Sequence, residues 1–281
     1  MHTSYVGRFA PSPSGPLHLG SLVSALASFL DAKHHHGQWL IRIEDVDSQR
    51  CKPEHSIDII ETLESYQLIS DAPVIYQSQQ SAVYQSHLNT LIDKGLAFPC
   101  QCTRQALKQV GGIHHHLCQA DTHAPHSWRV LSDMDAVNFH DRLQGKQTQH
   151  PLNENGHSII KRKDQDYAYL LAVVVDDYQQ GINQVVRGTD LLSTTATQLN
   201  LFKAFGWQAP NYCHIPLVFG ENKLKLSKQN HAPAIKKADL ATLKLALKHL
   251  NQPLSDSHNI SDTLTHAIQN WSLAAVREHQ D

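Results

Sequence analysis

The sequence predicts an α/β fold: a parallel sheet whose two halves are separated along the chain by an irregular insertion, followed by a short helical segment. Three observations carry this reading. Residues 5–9 form a short apolar strand that a Pro/Ser/Gly run cannot continue, and a helical apolar spacing starts at Leu19. Residues 38–43 read as a buried strand ending in Glu44-Asp45-Val46-Asp47. Beyond a stretch rich in His, Gln and Asp, strand and helix patterns alternate again from about residue 166.

Each element follows in order. The first helix covers residues 19–29, and His34-His35-His36 closes it before Gly37, where positive charge suits a helix C-terminus. The strand at 38–43 puts acids at its C-terminal end, where open α/β sheets bind ligands. Helices are expected at 53–66 and 78–94, with Pro53 near the start of one and Gly95 just past the end of the other. Strand, helix and strand in succession imply a right-handed parallel crossover. Residues 167–177 read as a helix or a buried strand, 182–186 as a strand, and 189–205 as a long helix closed by Gly206. A strand at 214–219 delivers a Lys-rich loop. After residue 238 come two amphipathic helices, the first with Leu240, Leu243, Leu247 and Leu250 at near-helical spacing. The chain thus divides into 1–99 and 166–235 as the halves of the sheet domain, 100–165 as the insertion and 236–281 as the helical segment.

A chain of 281 residues can bury a large core. It holds no apolar run long enough to span a bilayer and no signal-peptide pattern at its start, so a cytoplasmic location without a membrane partner is expected. Five unevenly spread cysteines argue for reduced thiols and metal ligation rather than a disulfide framework. A formal net charge of −2 gives no bulk attraction for nucleic acid. Lys161-Arg162-Lys163 and Lys236-Lys237 are basic runs, but such runs are usually solvated faces.

The loop 10–17 feeds directly into a helix whose first turn holds His18, Gly20 and Ser21. Orphan backbone N–H groups and the positive dipole end favour phosphate there, and glycine lets it approach the backbone. Alone, His18 would read as a helix-start histidine satisfied by the backbone. With the Pro/Ser loop, His18-Leu19-Gly20-Ser21 resembles the HIGH motif of class I aminoacyl-tRNA synthetases, most closely the glutamyl branch. Far downstream, Lys225-Leu226-Ser227-Lys228-Gln229 resembles the KMSKS motif of that class. Their order and separation match a split Rossmann catalytic domain. The resemblance implies ATP-dependent adenylate formation, in which His18, Gly20, Ser21, Lys225 and Lys228, with Mg²⁺ on the ATP, position and neutralise the phosphates.

Glutamate carries two carboxylates and one ammonium, so its pocket needs cations and an anion at fixed places. By resemblance to glutamyl-tRNA synthetases, Arg8, Phe9, Ala10, Pro11, Ser12, Glu44, Tyr169 and Arg187 line that pocket. Glu44 would face the ammonium, and an arginine, whose planar fork suits bidentate contact, a carboxylate. Rejection of glutamine by roughly 10⁴-fold follows from a site built around polar contacts. Without a ligand, Arg8 and Glu44 would read as an ion pair beside the sheet, and Tyr169 as core. Cys100, Cys102, His114 and Cys118 resemble the structural zinc site in the family's insertion, a closed tetrahedral set of three sulfurs and one nitrogen. His115, His116 and His123 compete with His114 for the nitrogen position. If a helix follows Gly112, His114 and Cys118 share a face. Two reduced thiols beside a His-rich loop would be the reading without metal, and Cys51 and Cys213 read as core or incidental.

The resemblance covers residues 5–231. Glutamyl-tRNA synthetases continue with a large helical anticodon-binding region, whereas about fifty residues remain here, the size of a cap. This shorter form resembles the glutamyl-queuosine tRNA(Asp) synthetases, which activate glutamate without tRNA and transfer it to the queuosine base at the wobble position. The implied partners are ATP, L-glutamate and the queuosine-containing anticodon stem-loop of tRNA(Asp), held locally through splayed bases; a monomer is expected. Competing readings are a shortened glutamyl-tRNA synthetase charging the acceptor end of tRNA(Glu), a non-catalytic tRNA-binding relative, and a small-acid nucleotidyltransferase of the same superfamily.

Overall fold

The computed structural model describes residues 4–220, 226 and 232–276. Strand β1 (Val6–Phe9) leads through the Pro/Ser loop into α1 (Leu19–His34), and β2 (Gln38–Ile43) returns parallel to β1. Then come α2 (Pro53–Ser65), β3 (Ile75–Tyr76), a 3₁₀ turn (Gln77–Gln80) and α3 (Ser81–Asp93). The middle of the chain holds β4 (Ala97–Cys100), α4 (Arg104–Gln109), β5 (Ser127–Val130), β6 (Val137–Asp141), β7 (Gly145–Gln149), α5 (Pro151–Asn155) and β8 (Ile159–Lys161). The second half of the sheet is built from α6 (Tyr169–Gln179), β9 (Gln184–Gly188), a 3₁₀ turn (Thr189–Thr194), α7 (Thr195–Phe205) and β10 (Asn211–Ile215). Helices α8 (Leu240–His249), α9 (Ile260–Gln269) and α10 (Leu273–Val276) follow.

The main sheet has the order β10-β9-β1-β2-β3, every pair parallel. From β1 the chain runs outward to β2 and β3 on one side, and β9 and β10 fill the other. The crevice beyond the C-terminal ends of β1 and β9 is therefore the topological switch point, where such sheets bind ligands. Alternation along the strands splits the apolar residues between two faces. Trp39, Ile41 and Ile43 pack with Leu22, Leu26 and Leu30 of α1, and Leu243, Leu247, Leu264 and Trp271 of the C-terminal helices join the same cluster. The final helices thus cover α1. A second cluster joins α3, α6 and α7 through Leu88, Leu171, Val175, Leu201 and Phe202.

Several boundaries differ from expectation, each for a local reason. The strand expected at 214–219 lies at Asn211–Ile215 and stops before Pro216, which has no N–H to give a ladder. The strand expected at 182–186 is shifted to Gln184–Gly188. The long helix expected at 189–205 divides, because Thr194 turns its hydroxyl onto the Leu191 carbonyl (2.8 Å) and competes with helical hydrogen bonding. Residues 167–177, ambiguous between helix and strand, form α6.

The middle segment contains the antiparallel sheet β4-β5-β8 and the hairpin β6-β7. The hairpin is anchored to the main sheet: Arg142 N–H donates to the Tyr212 carbonyl (2.9 Å), and its guanidinium reaches Asp31 of α1 (2.6 Å). No described helix is long and apolar enough to cross a membrane.

Candidate active site

A cavity of about 480 Å³ opens at the switch point. Its wall includes Arg8, Phe9, Ala10, Pro11 and Ser12 from β1 and the loop, His18, Gly20 and Ser21 from the start of α1, and Glu44, Tyr169 and Arg187. The expected pocket residues from both halves of the sheet are thus brought to one place. Lys225 and Lys228 lie outside the described residues. Leu226 between them is described: it lines the cavity, and its N–H donates to the Val218 carbonyl (2.9 Å). Its carbonyl lies 3.3 Å from where a Cβ at Gly20 would stand, so any side chain there would press on this loop. Ala234 and Ile235 pair with His18 and Leu17, tying the downstream segment to the helix start.

His18 is the N-cap of α1, and its Nδ1 accepts from the Ser21 N–H (3.2 Å). An accepting Nδ1 places the ring proton on Nε2, so a neutral His18 offers a donor there. The cap role of Nδ1 is therefore compatible with the phosphate role expected of the ring.

Arg8 and Glu44 are not each other's main partner. Arg8 Nε bonds Asp177 (3.1 Å), and Arg42 reaches Asp177 (2.8 Å), Glu44 (3.4 Å) and Asp176 (3.7 Å). Asp176 also accepts from Gln77 and Tyr84. This buried network holds two guanidiniums against three carboxylates. Burial raises the Asp177 carboxyl, but Arg8 and Arg42 outweigh it and hold it below the usual carboxylate range. Glu44 is pushed up to about 7, because burial outweighs the same two arginines. The carboxyl that faces the cavity is thus one that the network does not hold firmly ionised. Arg8 keeps Nη1 and Nη2 without a hydrogen bond or ion pair among the described residues.

Arg187 is buried with no carboxylate in ion-pair reach among the described residues. Its Nε donates to His214 Nε2 (2.9 Å), Nη1 to Gln198 (2.8 Å), and Nη2 to Thr195 (2.9 Å) and the Leu191 carbonyl (3.3 Å). Its plane lies over the Tyr212 ring, 4.9 Å from the centroid. A buried cation held only by neutral acceptors is costly unless an anion arrives. Tyr169 lines the same cavity, its hydroxyl raised by burial.

The motif reading missed Arg42, Asp176, Asp177, Gln198 and His214. Signals existed: an arginine inside the apolar strand Gln38–Ile43, and two aspartates closing the apolar run of α6, must find partners when buried. Which partners they find depends on contacts between distant segments.

The sulfur cluster forms at the end of β4. Sγ of Cys118 lies 3.4 Å from Cys102 and 3.6 Å from Cys100, and His114 Nε2 is 3.2 Å from both Cys100 and Cys118. Tetrahedral zinc with Zn–S of ~2.3 Å separates its sulfurs by about 3.7 Å, so this donor set fits the ion. Arg129 donates to Cys100 Sγ (3.2 Å), the support a thiolate ligand needs. Of the competing histidines, His116 stacks on His114 and approaches only Cys102 (3.5 Å), while His115 and His123 are exposed. No helix follows Gly112 directly, so the condition for His114 and Cys118 to share a helical face is not met. Gly111 and Gly112, with φ of 86° and 85°, end α4 and turn an irregular loop back, where the His114 carbonyl accepts from His157 N–H (2.8 Å). Gly156 is required there, since a Cβ would stand 2.6 Å from that carbonyl.

Residues 5–243 match the model of tRNA synthetases class I (E and Q), catalytic domain. A glutamyl-Q tRNA(Asp) synthetase of Shewanella amazonensis is 43% identical over 281 residues, covering 100% of this chain and 97% of the relative. The protein of that name from Cronobacter sakazakii is 44% identical, covering 97% and 93%. The chain belongs to the glutamyl-Q tRNA(Asp) synthetase family. Among solved structures, a glutamate tRNA ligase from Elizabethkingia meningosepticum in complex with its amino acid superposes with a TM-score of 0.80 at 24% identity, over 98% of this chain and 66% of that one. At that identity the likeness concerns the fold. For a glutamyl-Q tRNA(Asp) synthetase family member, the class I sheet and the Cys/His cluster are as the motifs led one to expect. Within the two basic runs, Arg162 pairs with Asp47 and Asp164, and Lys237 with Asp58 and Glu61.

Proposed function

We propose that this cavity binds L-glutamate beside ATP, forms glutamyl-adenylate without tRNA, and passes the glutamyl group to the queuosine base at the wobble position of tRNA(Asp). The observation that carries the reading is Arg187, a buried guanidinium without a carboxylate partner, in the same cavity as the acidic Glu44 and the partly unengaged Arg8. An ammonium and a carboxylate on one carbon suit Glu44 and Arg8, which are close enough for the Arg8 charge to act on Glu44. The second carboxylate falls to Arg187. Glutamine would leave that cation uncompensated.

In the activation step an α-carboxylate oxygen attacks the α-phosphorus of ATP, the bond to the bridging oxygen breaks, and pyrophosphate departs. His18 Nε2–H and the first N–H groups of α1 stabilise the phosphate oxygens, with Lys225 and Lys228 assigned to the same triphosphate by their motif. Magnesium bound to ATP would neutralise part of its charge. In the transfer step a hydroxyl of the modified base attacks the acyl carbon, AMP leaves, and the hydroxyl proton is lost. Cys100, Cys102, His114 and Cys118 would hold a structural zinc that cross-links β4 to its loop.

Labelled glutamate, ATP and either a queuosine-containing anticodon stem-loop or tRNA(Glu) test the reading. Label on the stem-loop is expected. An alkali-labile ester only on the terminal adenosine of tRNA(Glu) would identify the acceptor-charging alternative instead.

A further inference from the structure

Behind Arg187 lies a buried pair that no role so far uses. His214 on β10 accepts from Arg187 Nε–H through Nε2 (2.9 Å), and its Nδ1 meets Asp141 Oδ2 at 2.6 Å. Both side chains are fully buried. Asp141 comes from the end of β6, within the middle segment of the chain, so the hairpin reaches under the cavity.

Thr195 Oγ1, a hydroxyl that can donate, also lies 3.3 Å from His214 Nε2. Arg187 Nε can only donate, so His214 Nε2 must be an unprotonated acceptor and the ring proton must sit on Nδ1. Asp141 Oδ2 accepts that proton. Its other oxygen, Oδ1, is pinned by three backbone N–H groups, from Leu143 (3.0 Å), Gln144 (2.8 Å) and His214 itself (3.2 Å). The carboxylate therefore cannot rotate without losing them.

We infer that Asp141 and His214 are positioning residues for the amino-acid pocket: Asp141 fixes the His214 tautomer, and His214 seats the Nε edge of Arg187 so that the guanidinium meets the side-chain carboxylate. The inference rests on the assignment of Arg187 to that carboxylate. Neither residue touches the ligand. Burial lowers the His214 pKa, in keeping with a neutral ring.

Substitution of Asp141 by asparagine makes the prediction specific. The amide oxygen stays with the three N–H groups, so the NH₂ takes the place of Oδ2 and donates to Nδ1. The ring then carries its proton on Nε2, opposing Arg187 Nε–H donor to donor. His214→Gln instead presents an amide oxygen to Arg187 regardless of residue 141, whereas His214→Phe offers no acceptor.

Steady-state ATP–pyrophosphate exchange with the full chain reads this out, with KM for L-glutamate and for ATP measured separately. For Asp141→Asn, KM for glutamate is expected to rise by about 10-fold or more, the scale of a lost hydrogen bond to a charged group, with KM for ATP within about twofold. His214→Phe should match it, His214→Gln should recover most of the affinity, and Asp141→Asn should add little in the His214→Gln background. An unchanged KM for glutamate, a parallel rise in both KM values, or equal losses in His214→Phe and His214→Gln would overturn the inference. If Asp141→Asn does not fold, the comparison of the two His214 variants decides alone. A wild-type chain without glutamate-dependent exchange would instead count against the amino-acid assignment itself.

Discussion

Glu44 lies beside two arginines, yet its carboxyl is pushed up to about 7, because the loss of solvent outweighs them. An ammonium binds the ionised form, so below that pH the ligand must first displace a proton. Glutamate affinity should therefore fall by up to about tenfold between pH 8 and pH 6, with proton release on binding. Calorimetry in buffers of different ionisation enthalpy measures both, and a flat profile would contradict the assignment; Glu44→Gln should abolish the dependence and most of the affinity. Arg187→Met should raise KM for glutamate by at least about 30-fold, a cost of the order found when one partner of a buried charge contact is removed. The roles proposed for His18, Glu44 and Arg187 came through resemblance to the glutamyl-tRNA synthetases; the residue pattern alone placed His18 at a helix start and Glu44 at the end of a strand. Neither route reached Asp141 and His214: 73 residues separate them, and only the packing of the hairpin on β10 makes them partners.

Elements built on local rules were legible from sequence. Gln38–Ile43 came out as a single buried strand, and α7 ends at Gly206 in the left-handed conformation (φ 78°). Elements that depend on competition were not, as at the 3₁₀ turn Thr189–Thr194 and at β10, which Pro216 ends early. The Cys/His loop is the clearest case, since its ligands converge without a helix to bring them together. Its order should then depend on metal. One zinc per chain is expected by elemental analysis, and Cys118→Ser or chelation should lower the melting temperature and raise proteolysis within 100–126; a metal-free chain with the same melting temperature would contradict this.

Across the molecule, Asp31 of α1 ties distant parts together. Fully buried, it accepts from Tyr5 before β1 (2.5 Å), Arg142 on the hairpin (2.6 Å) and Trp271 ahead of α10 (3.0 Å). Burial raises its carboxyl, but Arg142 and the neutral donors outweigh this and hold it below the usual range. Its contribution is therefore complete above the unfolded-state value of about 3.9 and is lost as pH falls through the lower folded one. Asp31→Asn should cost about 3–5 kcal/mol in urea unfolding, since it removes the carboxylate that Arg142 faces, and a loss under about 1 kcal/mol would show that the tie is dispensable. The same architecture places the phosphate-binding helix start and the arginine-lined pocket at one switch point, and the functional account depends on that coincidence. Exchange of pyrophosphate into ATP in an RNA-free reaction tests it most directly. The account predicts exchange that requires L-glutamate, is not supported by L-glutamine, and in Arg187→Met needs glutamate at concentrations raised by at least about 30-fold; exchange that is absent, or indifferent to the amino acid supplied, would contradict it.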